Sequence, residues 1–198
     1  MKKYRIKAYQ VFKESDFPLV CYRHKTHNPC GLHSHEFYEL VVVVSGKGRH
    51  LTDEGDYPIE GGDAFVVHGN MRHGYADTEQ MALVNIIFEP KQLHLPMGFL
   101  RDLPGYHVLF RIEPRMRDIN KFETHLHLSE EELAEANGLI WRLEQELNYK
   151  RAGYKFMSCS YLMNLIVFLS RCYSHTREPA RRPLMKMGEV LSLSLIHI

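Results

Sequence analysis

No cysteine pair in this chain has the spacing of a metal knuckle or a redox motif. Cys21, Cys30, Cys159 and Cys172 are scattered along the sequence, so neither a C-x-x-C pair nor a disulfide framework is indicated. Cys159 and Cys172 fall on one predicted helix, roughly 20 Å apart at about 1.5 Å rise per residue, too far to bridge. Reduced thiols and a cytoplasmic setting are the expectation. Strong charge of either sign is also missing: 25 Lys and Arg stand against 24 Asp and Glu, a net +1. That balance gives no electrostatic footprint for nucleic acid or for an anionic membrane. No apolar run approaches membrane-spanning length. Met1-Lys2-Lys3-Tyr4-Arg5-Ile6-Lys7 carries charge with no apolar stretch behind it, so it does not read as a signal peptide. Internal repeats and low-complexity segments are absent as well. What remains is ordinary globular composition, 198 residues with 44% apolar and 25% charged side chains, enough for one domain with a real core or a medium domain with a small appendage.

The most informative stretch runs from Gly31 to Gly46. Residues 37–44 are rich in aromatic and β-branched side chains, hold no Gly or Pro, and stop at Ser45-Gly46, which predicts a strand. Side chains on a strand alternate faces. His33, His35 and Glu39 share parity, so a strand covering all three points them one way. Two imidazoles and a carboxylate suit a borderline divalent metal, and His73 is the candidate fourth ligand. Tyr38, Leu40, Val42 and Val44 form an apolar opposite face, so the strand is expected to be buried on both sides and Tyr38 to lie outside any barrel. His33, His35, Glu39 and His73 have three readings: ligands of a divalent transition metal, a metal-free polar lining of an effector pocket, or a polar cluster whose members satisfy one another. Arg49 and His50 have opposite parity, and Arg49 is the one expected inside. Tyr75 shares parity with His73 and is either pocket lining or core. His24 and His27 are expected on the surface.

Further strands are predicted over 4–12, 19–22, 49–52, 57–60, 64–68, 73–76 and 82–88. Turn signals about every 8–12 residues fit an all-β sandwich or barrel. Residues 91–121 contain Pro96, Pro104 and Pro114, with short helical turns expected over 91–95 and 97–103. Ser129-Glu130-Glu131-Glu132 is a capping box. Leu133, Ala136, Ile140, Leu143 and Leu147 then form a heptad seam, ending at Ala152-Gly153. A second helix, about 154–174, is apolar over most of its circumference and needs cover on more than one side. These two helices read as an antiparallel dimerisation hairpin, with packing against the barrel as the alternative. On the dimer reading, Leu143→Asp with Leu147→Asp would separate a homodimer. Residues 176–183 form a basic, proline-bearing linker, and 184–193 begin another helix.

Residues 31–77 resemble the cupin double-stranded β-helix. His33, His35, Glu39 and Gly46 match its first motif, H-x-H-x3-E-x6-G; Gly31 is displaced from the leading glycine position, where His27 stands. In the second motif Gly62 and His73 match, while His68, Asn70 and Asp77 replace Pro, Gly and Asn. His125, His127, Glu131 and Gly138 repeat the first pattern, but Glu131 lies in the capping box and a helix follows, so this copy is not expected to bind a ligand. The whole layout resembles the sensor half of AraC-type transcription regulators. His33-Ser34-His35-Glu36-Phe37-Tyr38-Glu39-Leu40-Val41, Gly62-Asp63-Ala64-Phe65 and Arg72-His73-Gly74-Tyr75 look like its rhamnose-regulator branch.

That resemblance implies a mainly β fold with C-terminal helices: a cupin-type jelly-roll barrel over 1–128, a helical dimerisation hairpin over 129–175, and over 176–198 a linker and the start of a DNA-binding domain. It implies a small polar effector, often a sugar, bound by His33, His35, Glu39, His73, Arg49 and Tyr75. It also implies that regulator cupins often work without metal, and that DNA is bound only through a C-terminal domain with two helix-turn-helix units. Ser192-Leu193-Ser194-Leu195-Ile196-His197-Ile198 does not continue as that family would, so a truncated chain or interrupted reading frame is the expectation, with no specific DNA binding by these residues alone. An enzyme is not expected. The competing reading is a metal-dependent cupin enzyme, an oxygenase or sugar isomerase.

Overall fold

The computed structural model describes residues 4–14, 16–53, 55–67, 71–112, 125–175 and 182–196. His68, Asn70 and the 176–181 part of the linker lie outside the described residues. The elements in order are β1 (Arg5–Ile6), α1 (Ala8–Val11), β2 (Leu19–His24), β3 (Cys30–His35), β4 (Tyr38–Thr52), β5 (Tyr57–Glu60), β6 (Asp63–Val67) and β7 (His73–Phe88). A 3₁₀ turn (Met97–Leu100), α2 (Pro104–His107) with a π turn (Val108–Ile112), β8 (Leu126–His127), α3 (Glu130–Tyr149), α4 (Tyr154–His175) and α5 (Arg182–Ile196) follow.

β4 and β7 are the long antiparallel pair on which the cupin-type barrel is built, from Tyr38↔Phe88 to Thr52↔His73. On its other edge β4 carries β6 and β5, and β7 carries β2 and β3. The alternation in 37–44 has the predicted consequence. Val41 and Val43 turn inward onto Phe65, Val67, Met81 and Leu83, while Leu40 and Val42 turn outward onto Val66, Ile86 and Phe88. Both faces are buried, and helices cover the outer one.

Three expectations about the strands are corrected. Residues 4–12 hold only the two-residue β1 before the turn α1. Gln10 draws the chain round there, its side-chain oxygen accepting from Lys7 N–H at 2.7 Å, and Phe12 packs edge-on against Phe37. The segments 37–44 and 49–52 are one strand, as are 73–76 and 82–88. Ser45-Gly46 is a bulge rather than a turn: register shifts fall between Val43 and Arg49, and Gly46 takes φ +75° with a would-be Cβ 2.3 Å from Gln80 O. Only glycine fits that approach. Finally, His33 and His35 lie on β3, separated from β4 by a bend at Glu36-Phe37, so one strand does not carry all three candidate ligands.

The helices begin as predicted. Ser129 Oγ accepts from Glu132 N–H at 3.2 Å and Glu132 Oε2 accepts from Ser129 N–H at 2.8 Å. α3 stops at Tyr149, with Lys150 in the left-handed region at φ 47°. The heptad seam does not face solvent. Ala136, Ile140 and Leu143 are fully buried, and with half-buried Leu133 and Leu147 they join α4 (Leu162, Leu165, Leu169) and the outer sheet face in one continuous core. Most of the apolar circumference of α4 is covered within the chain, against α3 on one side and α2 on another, while Phe156 stays exposed. Gly105 of α2 lies so close to α4 that a Cβ there would sit 1.9 Å from Ser170 O. Substituting Asp at Leu143 would therefore disrupt this core before it could separate two copies.

Candidate functional site

His35 ends β3, Glu39 begins the inward face of β4, and His73 begins β7. The pairing of β3 with β7, His33↔His73, brings these elements together. His35, Glu39 and His73 are buried, and their ligating atoms all lie within 4.8 Å of one another.

The hydrogen bonds at this cluster leave a charge imbalance. His35 Nδ1 lies 2.9 Å from the carbonyl oxygen of Phe37. A carbonyl only accepts, so Nδ1 carries a hydrogen, and on a ring with one proton Nε2 is an electron pair. That Nε2 is buried, lacks a hydrogen-bond donor, and faces Glu39 Oε2 at 3.2 Å. An imidazole lone pair and a carboxylate repel when both are buried. Their juxtaposition calls for a proton, a cation or a ligand donor between them. His73 Nε2 faces the same carboxylate oxygen at 3.6 Å. Two imidazoles and one carboxylate fit a borderline divalent cation with a position left open.

The other sequence candidates divide. His33 is half-buried at the rim, its ring 4.4 Å from that of His73 but its Nδ1 turned to Gly31 O at 3.1 Å; it is outside the clustered donor set. Arg49 is outside the barrel. Its side chain is 45% exposed and pairs with Asp56 and Asp77, each at 3.0 Å. The bulges of β4 reverse its alternation, so His50 takes the inward place expected for Arg49. His50 Nε2 lies 3.4 Å from His73 Nδ1, and His50 Nδ1 lies 2.6 Å from the Tyr57 hydroxyl. Tyr75 is buried inside, its ring 5.3 Å from His50. Tyr38 packs outside the barrel on Phe88, as expected. His27 is not a free surface residue: half-buried, it packs 4.8 Å from Tyr75, and burial pulls its pKa below the ordinary imidazole value. His24, also half-buried, lies beside it.

His50 and Tyr57 are what sequence reasoning missed, and parity alone could not find them because the bulges hide it. The second H-x-H pair has a different use. His125 Nε2 and His127 Nδ1 grip the two oxygens of buried Asp63 at 2.8 and 2.7 Å, and that carboxylate is held below its ordinary pKa by those imidazoles against the opposing effect of burial.

Residues 18–138 match the family model of the AraC-like ligand binding domain. The chain belongs to this family. Among curated relatives it is 32% identical over 114 residues to the HTH-type transcriptional activator RhaR of Shigella dysenteriae serotype 1 (strain Sd197), covering 58% of this chain and 36% of that one. It is 29% identical over 139 residues to RhaR of Escherichia coli O139:H28 (strain E24377A / ETEC), covering 70% and 45%. The chain thus spans less than half the length of these relatives. Among solved structures, the AraC-like transcriptional activator CuxR is similar at TM-score 0.43 and 12% identity, covering 82% of this chain and 52% of that one. A cupin protein from Bacteroides fragilis is similar at TM-score 0.31 and 17% identity, covering 36% and 64%. Among the described residues no helix is long and apolar enough to cross a membrane.

Proposed function

We propose that this AraC-like domain is the effector-sensing module of a DNA-binding transcription regulator, and that a small polar effector, a sugar by its resemblance, is held at His35, Glu39 and His73. The supporting observation is the fully buried His35 Nε2, without a hydrogen-bond donor, facing the buried Glu39 carboxylate at 3.2 Å. A site serving only the fold would replace such a pair by apolar groups without loss. The imbalance is resolved by whatever brings positive charge or donors. A divalent cation would be held by His35, Glu39 and His73, and when bound it would supply a Lewis-acidic position for an effector oxygen. His33 at the rim and Tyr75 inside are placed to touch what enters. The names of the relatives, transcriptional activators, support sensing over catalysis.

Homodimerisation, which the family resemblance implies, would have to use the outward side of the helices, since the seam is buried. Trp141 and Phe156 stand out there, at 58% and 75% exposure. Sedimentation of the chain with Trp141→Ala and Phe156→Ala tests this; an unaltered dimer would exclude that face. DNA binding in cells would proceed through a helix-turn-helix region such as the relatives' names describe.

The test of the site is elemental analysis after dialysis, with a thermal-shift screen of metals and monosaccharides on the same sample. A shift from one sugar, abolished in Glu39→Ala, supports sensing. Turnover of a sugar or of an oxygenase substrate, with stoichiometric metal lost in His35→Ala, would replace this reading by the enzymatic one.

A further inference from the structure

A cavity lies outside the barrel, between the loop that follows β7 and the first half of α4. It encloses about 520 Å3, within the range of small-molecule sites. Phe17, Leu93, Leu95, Pro96, Phe156 and Met163 form its walls. Phe17 and Leu95 belong to the buried core, so part of the wall is firm, whereas Phe156 stands 75% exposed. Apolar side chains gathered round an open cavity gain by being covered.

The charge at the rim says what kind of molecule would cover them. Asp16 and Lys155 stand there, joined at 2.6 Å, with side chains 72% and 43% exposed. Lys155 Nζ also lies 5.5 Å from the centroid of the Phe17 ring. Lys155 therefore carries its charge at the edge of an apolar wall, with a carboxylate already on it. Asp16 marks the place of an anionic head whose apolar body would lie in the cavity. The segment that carries Asp16 is held without that pair: Glu14 accepts from the Tyr154 hydroxyl at 2.9 Å and pairs with Lys150, and the Phe17 ring packs edge-on against Tyr154 at 5.7 Å. An exposed pair such as Asp16–Lys155 contributes little stability, so a ligand carboxylate can replace Asp16 while the wall stays in place.

We propose that this cavity is a second small-molecule site, separate from the barrel interior, that takes an apolar carboxylate. The body of the ligand lies against Phe17, Phe156 and Met163, and its carboxylate displaces Asp16 from Lys155. The site does not rest on the reading of His35, Glu39 and His73. Its walls come from the segment before β2, from the loop after β7 and from α4, so an occupant bridges the barrel and the helices.

The probe is naphthoate, titrated calorimetrically into the full chain, with naphthamide as its uncharged match. Wild type is expected to bind the acid more tightly than the amide. Lys155→Met should weaken naphthoate about two- to fivefold, the range of an exposed ion pair, and leave naphthamide unchanged. Asp16→Asn removes the competing carboxylate and should tighten naphthoate by a similar factor, which a merely structural role of the pair would not do. Met163→Trp fills the cavity and should abolish binding of both. A second measurement needs no substitution. Half-buried Cys159 lines the cavity, so naphthoate should slow its alkylation, while that of Cys30, which packs inside the barrel, stays the same. Wild type that does not bind naphthoate, or binds acid and amide equally, would overturn the proposal, as would binding that leaves Cys159 unprotected. A wild-type dimer in sedimentation that Met163→Trp dissociates would give the cavity to a second copy and overturn it equally.

Discussion

Replacing Glu39 by Gln should stabilise the cation-free chain, against the usual expectation for removing a buried charge among imidazoles. In the wild type, His35 Nδ1 is committed to Phe37 O, leaving Nε2 as an acceptor 3.2 Å from another acceptor. A Gln amide resolves this: its NH2, standing in the place of Oε2, can donate to His35 Nε2. Supplying a donor to a buried unsatisfied acceptor is worth about 1–3 kcal/mol. In a chain of this length each kcal/mol moves the melting midpoint roughly 2–4 °C, so Glu39→Gln should melt about 2–12 °C above wild type in excess chelator. With Zn2+ at about 1,000 times its dissociation constant, wild type gains about 4.1 kcal/mol through ligand linkage and the order reverses, because the amide is a poor metal ligand. Scanning calorimetry of both proteins, with chelator and with Zn2+, reads the two effects. A Glu39→Gln protein that melts at or below wild type in chelator would refute the imbalance on which the site argument rests.

Leu143→Ala should destabilise by about 2–5 kcal/mol, the range for a fully buried leucine. Urea unfolding should give the same loss at all protein concentrations; a loss that vanishes on dilution would return Leu143 to an intermolecular seam. Gly105→Ala should lower stability more than a typical surface change, since its Cβ would meet the Ser170 carbonyl at 1.9 Å; an unaltered melting midpoint would mean that α2 does not dock on α4 this closely. Burial pulls the His107 pKa below its ordinary value of 6.5, opposed by its bond to Arg101 O. The unfolded chain therefore takes up a proton that the folded one refuses, and this contribution to stability is complete above 6.5 and falls as pH drops from there toward the folded value. The urea midpoint should decline between pH about 7.5 and about 5.5, less steeply in His107→Leu; equal slopes would remove His107 as a cause.

Much of this protein follows from local pattern. Residues 40–44 read as a strand buried on both faces, because alternation left no polar side to offer water. The capping box at Ser129 and Glu132 needed only four consecutive residues, so it was legible without any tertiary contact. His35, Glu39 and His73 were legible as ligand types, but the reason given for their shared direction was incomplete: strand pairing on either side of the bend at Glu36-Phe37, not one continuous strand, brings them together.

Long-range packing decided the rest. Parity is a local count, and the bulges at Ser45-Gly46 and near Gln80 change that count only when β4 meets β7, so Arg49 and His50 exchanged places. A heptad seam says that one face of a helix is buried but not in what; α4 and the outer sheet face supplied the cover expected from a second copy. The second H-x-H pair likewise acquired its meaning from Asp63, a residue distant in sequence and opposite in the sheet. Sequence alone determined which side chains want burial or a charge partner. Only the tertiary structure decided which partner each received, because those choices depend on register and on surfaces that no short stretch of chain contains.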